Sequence, residues 1–132
     1  MSLSLVAALV FAVVLIAACT DSDTPADPDQ RLVAAPIVEV AIVPPDVSSG
    51  RYALRVVSAL PDGCHTYHDA AVTRRDAVVT VTVRNAVPAR ENLACTQIYG
   101  TVTHTLDLGD GFAAGATYEV VVNGTATRFT AR

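Results

Sequence analysis

The sequence predicts an all-β domain, a sandwich of about seven strands, with a small β-barrel as the runner-up architecture. Three observations predict it. Between Ala77 and Arg84, Val79, Val81 and Val83 share one face of a strand while Thr80 and Thr82 take the other. That alternation marks a half-buried strand. Asn123-Gly124 separates two β-rich runs, and the pair favours a two-residue hairpin because both positions take positive φ. From Ile37 onward the chain is a series of short apolar runs broken by turn residues, with no long helical periodicity.

The elements follow in order. Ile37–Val43 is the first strand, ended by Pro44-Pro45, which cannot donate to a ladder. Arg51–Leu60 is the second, closed by a Pro61-Asp62-Gly63 turn. Cys64–Arg74 is a more polar strand, and Arg75-Asp76 turns the chain into Ala77–Arg84. A loop around Pro88–Asn92 leads to Thr96–Leu108. There Ile98, Val102, Leu106 and Leu108 fall on one parity, and Tyr99, Thr101, Thr103 and Thr105 on the other. Tyr118–Val122 and Thr125–Ala131 form the closing hairpin.

The segment Phe112-Ala-Ala-Gly115-Ala-Thr-Tyr118-Glu-Val120-Val-Val122 resembles the tyrosine corner of immunoglobulin-like and fibronectin type III domains. The resemblance implies an immunoglobulin-like sandwich in which the Tyr118 hydroxyl bonds backbone upstream. A wider pattern resembles a group of uncharacterised bacterial lipoproteins. It runs from Leu60-Pro-Asp-Gly63-Cys64 through Ala94-Cys95-Thr96 and Leu106-Asp-Leu108-Gly109 to the Gly115, Tyr118 and Asn123 tail. This resemblance implies a self-contained module and no assigned activity.

The start of the chain carries an address. Leu3–Ala18 is an almost unbroken apolar run, shorter than the roughly 20 residues of a membrane span and suited to a secretory signal. No Lys or Arg precedes it. Ile16-Ala17-Ala18-Cys19 resembles the bacterial lipobox, which implies cleavage before Cys19 and acylation of that cysteine. More than one acyl chain gives stable anchoring, at about 0.8 kcal/mol per buried methylene. Thr20 rather than Asp follows the cysteine, and by the same resemblance this permits outer-membrane delivery. Thr20–Arg31 is acidic, contains Pro and has little to bury, so it reads as a tether. The expected organisation is a signal over residues 1–18, a lipidated cysteine and tether over 19–35, and the β domain over 36–132. The expected location is the extracytoplasmic face of a bacterial envelope membrane, held by the lipid on Cys19.

Three cysteines are present, at 19, 64 and 95. With Cys19 lipidated, Cys64 and Cys95 remain to pair in an oxidising compartment. Their disulfide closes a loop of about 30 residues and contributes roughly 3–4 kcal/mol in the chain-entropy description. They are not in a C-x-x-C arrangement, which argues against redox catalysis. Cys64-His65-Thr66-Tyr67-His68 holds soft and borderline metal donors, but on an extended strand His65 and His68 point to opposite faces. His104 lies on the apolar parity of its strand.

Catalytic signatures are missing from the pattern. Ser48, Ser49 and Ser58 have no G-x-S-x-G context, and no phosphate-cradling loop or dinucleotide fingerprint occurs. The aspartates at 62, 69, 76, 107 and 110 sit in turn-rich stretches. Arg74-Arg75 reads as a solvated turn. Asn123-Gly124-Thr125 is a sequon whose hairpin role suffices. The formal net charge is −4, all nine basic residues are arginine, and the pI is near 5.1. That excludes the basic footprint of a nucleic-acid binder. The expected function is a non-catalytic interaction module without cofactor, its partner an envelope protein or polymer recognised through a strand edge or end loops, with Pro44–Gly50 and Ala86–Leu93 the surfaces to test if they cluster at one end. Two alternatives are a copper or zinc binder using His65, His68 or His104, and a small protease-inhibitor-like module.

Overall fold

Strong period-two alternation places Val79, Val81 and Val83 inward, and all three are essentially inaccessible to solvent. They lie on the longest strand of a two-sheet sandwich seen in a computed structural model that describes residues 27–132. Eight strands build it: β1 Gln30–Ala34, β2 Ile37–Val43, β3 Tyr52–Leu60, β4 Thr66–Arg75, β5 Val78–Pro88, β6 Gly100–Gly109, β7 Thr117–Val122 and β8 Thr125–Thr130. No helix occurs among the described residues. One sheet has the order β2-β3-β6, wholly antiparallel. In the other, β5 is central: β4 runs along one edge, while β1 and the β7-β8 hairpin share the opposite edge.

The two sheets bury Leu54 and Val56 of β3 against Val79, Val81 and Val83 of β5 and Val120 and Val122 of β7. Burying each such aliphatic side chain stabilises the fold by roughly 1.5–3 kcal/mol. The chain enters through one sheet and crosses to the other at Ala35-Pro36. Ala35 N–H still donates to Val83 O at 2.9 Å, and Pro36 O already accepts from Ala59 N–H at 2.8 Å. Proline, which has no N–H to satisfy, therefore sits at the handover.

Several expectations are sharpened by this arrangement. The sandwich is present with two separate sheets, not a barrel, and has eight strands rather than about seven. The additional strand is β1, which begins at Gln30 inside the stretch read as tether and ahead of residue 36. Its polar composition hides it. It forms because β5 extends beyond β7 and presents open backbone groups from Arg84 to Pro88. The pairing of β5 with β7 is parallel, where immunoglobulin-like sheets are antiparallel. The sixth strand starts at Gly100 rather than Thr96, and Ile98 is 69% exposed instead of facing the core.

Two turn predictions are seen directly. Tyr118 Oη accepts from Ala113 N–H at 2.8 Å, five residues upstream. Asn123 and Gly124 have φ of 44° and 86°, as the tight β7-β8 turn requires. Asn123 also joins the sheet. Its amide donates to Ala35 O at 2.8 Å and Val83 O at 2.7 Å, and its carbonyl accepts from Val83 N–H at 2.9 Å. A side chain thus completes the ladder of β5 at Val83, between the end of β7 opposite Val81 and the end of β1 opposite Arg84. Backbone amide groups are served this way because leaving them unpaired in the interior is costly.

Candidate functional site

At the Leu60 end of β3 the Pro61-Asp62-Gly63 turn leaves the sandwich and meets the long connection from β5 to β6. Asp62 carries the turn. Its Oδ1 accepts from Cys64 N–H at 2.9 Å and from His65 Nδ1–H at 2.7 Å. The bond from His65, then that from Cys64 N–H, holds the Asp62 carboxyl below its ordinary range. Gly63 N–H donates to Thr96 O at 2.8 Å. A Cβ at Gly63 would lie 1.9 Å from Thr96 Oγ1 and 3.2 Å from Thr96 Cβ, so the approach of the two segments needs glycine. Cys64 and Cys95 form a disulfide beside this contact, with Cα atoms 5.4 Å apart, an ordinary spacing for such a bridge.

These parts border an open groove of about 380 Å³, with Arg31 of β1, Val87 of β5, and Arg90, Leu93 and Cys95 of the connection among its walls. Neither Arg31 nor Arg90 makes an ion pair among the described residues. Leu93 is 48% exposed. The groove combines two guanidinium groups without an ion pair among the described residues, the Glu91 carboxylate, an imidazole held in place by a second carboxylate, and apolar surface. Such a mixture suits recognition of a polar chain or segment.

The three histidines have separate partners. His65 bonds Asp62, His68 lies 3.4 Å from Asp69, and His104 stacks on Tyr67 with centroids 4.0 Å apart. His104 Nε2 also lies 3.4 Å from Ser58 Oγ inside the β4/β6 seam, and burial holds its pKa below the ordinary histidine value. Asp69 is engaged by Arg84 through Nε at 2.7 Å, and this contact is the main cause of its lowered pKa. The histidine set proposed from sequence is therefore not brought together. Among the described residues the one grouping of three metal-type donors is Asp62, Cys64 and Cys95, within 4.8 Å of one another. In the disulfide form neither sulfur is a thiolate.

The two loops that would form one surface if clustered lie apart. Pro44–Gly50 precedes Tyr52 at one end of β3, whereas Ala86–Leu93 lies beside Cys64 at the other. Ala86, Val87 and Pro88 moreover belong to β5. Cys19 lies outside the described residues. The sequence reading missed Arg31, Asp62, Gly63, Arg90 and Thr96 as parts of one site. The legible signal was Asp62 placed two residues before Cys64 and three before His65, the spacing of an Asx-type turn.

Fold and site together define a small β-sandwich whose one end is tied by a disulfide around a groove. The chain belongs to the ORF11 beta-sandwich domain family, whose model matches residues 54–131, from within β3 to the end of the described strands. No curated protein and no solved structure matches this chain.

Proposed function

We propose that the chain is an extracytoplasmic bacterial lipoprotein, anchored through Cys19, whose sandwich is a non-catalytic binding module for an envelope protein or polymer. The observation that carries the binding role is the groove at the disulfide end, where Arg31 and Arg90 are free of ion pairs among the described residues. The lipobox-like Ile16-Ala17-Ala18-Cys19 supports the anchor. The position of β1 supports a link between the two. Gln30 pairs with Pro88 at the groove end, and ten residues lie between it and Cys19, a span of at most roughly 40 Å. An acylated Cys19 would keep the groove within that distance of the membrane.

Two experiments test the reading. Labelling cells with a clickable fatty acid should mark the wild-type chain and not Cys19→Ser, which should leave the membrane fraction. An unlabelled wild-type chain removes the lipoprotein reading. For binding, crosslinking in intact envelopes should recover a defined partner with the wild type and lose it with Arg31→Ala/Arg90→Ala. Val47→Ser, a change at the opposite end, should retain it. Identical recovery from all three chains would sink the groove as the binding surface.

A further inference from the structure

We propose that reduction of the Cys64–Cys95 disulfide converts this end of the sandwich into a zinc site, with both thiolates and the Asp62 carboxylate as protein ligands. This goes beyond the binding reading and does not depend on it. The geometry supplies three donors of suitable chemistry: one carboxylate oxygen and two sulfurs already lie within 4.8 Å of one another. Two thiolates on one tetrahedral zinc sit roughly 3.8 Å apart, since Zn–S is about 2.3 Å. The 5.4 Å separation of the two Cα atoms accommodates that change through side-chain rotation.

The scaffold has its own restraints besides the S–S bond. Gly63 N–H holds Thr96 O at 2.8 Å, and Asp62 is fixed by Cys64 N–H. Neither contact uses the sulfurs, so both can hold the two arms in register when the bridge opens. His65 donates Nδ1–H to Asp62 at 2.7 Å, the arrangement by which a neighbouring group orients a ligating carboxylate. It is a positioning residue here, and the fourth coordination place is left for water or an incoming donor. The groove gives solvent access to the cluster.

The chemistry balances with a thiol reductant, either a small thiol or a protein dithiol. Two reductant thiols give up two electrons and two protons as they couple to a disulfide, and Cys64 and Cys95 each become a thiol. Zinc then displaces both thiol protons. Thiolates favour zinc over hard cations such as magnesium or calcium.

The test uses the full chain in detergent, reduced with a phosphine, freed of reductant without oxygen, and titrated with zinc against a chromophoric chelator. The expected result is one zinc per reduced chain and none on the oxidised chain. Cobalt in place of zinc should give sulfur-to-metal charge-transfer absorption. Cys19→Ser should behave as the wild type, Cys64→Ser/Cys95→Ser should bind nothing, and His65→Ala should weaken binding roughly tenfold. Circular dichroism accompanies each titration. If reduction alone dissolves the strand signal, zinc should restore it. Zinc bound equally by the oxidised chain or by the double serine variant overturns the proposal. So does a reduced chain that takes up no zinc, folded or not.

Discussion

The two ends of the sandwich are closed by different chemistry. At the Tyr52 end of β3, the rings of Tyr52, Phe112, Tyr118 and Phe129 contact one another with centroids 4.8–5.6 Å apart. The Arg74 guanidinium lies 3.9 Å over Phe112 and donates to Asp110 O and Gly111 O. At the Leu60 end no such cluster exists among the described residues. A disulfide, a glycine against Thr96, and an aspartate holding the turn join the strands to the long β5-β6 connection. The connection brings few apolar side chains inward: Leu93, Ile98 and Tyr99 are all exposed. One end is therefore held by buried area. The other is held by one covalent bond and a few close polar contacts, which redox conditions and single-atom changes can reach.

The largest break in this comparison is removal of the disulfide. Cys64→Ser/Cys95→Ser should cost about 3–4 kcal/mol, read from urea unfolding with a raised m-value, because the unfolded chain without its crosslink is more expanded. Hydrogen exchange should rise most over Cys64–Thr66 and Ala89–Gly100 and least over β7 and β8. Uniform acceleration across the molecule would show that the two ends are one cooperative unit. Next comes Phe112→Ala, which removes the centre of the aromatic cluster. Phe112 is only partly buried, so the cost should be about 2–3 kcal/mol, below that of a fully buried Phe. Thermal unfolding should register it equally with or without reductant. A loss that appears only in the reduced protein would contradict the separation of the ends.

A smaller effect should come from Gly63→Ala. The main clash of the added methyl is with Thr96 Oγ1, 1.9 Å away, and Thr96 Cβ and O at 3.2 and 3.4 Å are only tight. Overpacking of this kind costs about 1–2 kcal/mol. Most of it should return in Gly63→Ala/Thr96→Ala, while Thr96→Ala alone should be nearly neutral. A double variant no more stable than Gly63→Ala would place the strain in the turn backbone instead.

The same contrast explains what was legible in the sequence. The core of β5, the Asn123-Gly124 hairpin and the Tyr118 corner are local patterns, each fixed by residues within one strand or turn. The pairing of Cys64 with Cys95 followed from counting. The disulfide end is assembled from four separated segments, and no local pattern joins Arg31, Asp62, Arg90 and Thr96. The polar β1 becomes a strand only because β5 offers it an edge, and β6 starts late because its partner β3 ends at Leu60, opposite Gly100. One signal was available and went unused. Asn85 continues the inward parity of Val79, Val81 and Val83, so a buried polar contact was predictable. The structure supplies it across the sheets, where the Asn85 amide donates to Ala59 O at 2.9 Å.

The smallest expected effect, a dependence on pH, sharpens the comparison most finely. His104 sits in the seam between β4 and β6, stacked on Tyr67 and near Ser58. Burial holds its pKa below the ordinary 6.5. The unfolded chain therefore takes up a proton that the folded chain refuses, so stability is complete above pH 6.5 and falls as the pH drops below it. Asp62, Asp69 and Asp107 act in a separate, more acidic window. Their pKa values are lowered first by hydrogen bonds from His65, Arg84 and Arg51 respectively, so their contribution is complete above 3.8 and is lost as the pH falls through their folded values. Between about pH 7 and pH 5.5 only the histidine window should operate. Urea midpoints should decline slightly there in the wild type and stay flat in His104→Gln. Exchange should quicken in β4 and β6 near the seam, not around Phe112 and Tyr118. An unchanged decline in His104→Gln would assign that window to another group and leave the β4/β6 seam no more acid-sensitive than the aromatic end.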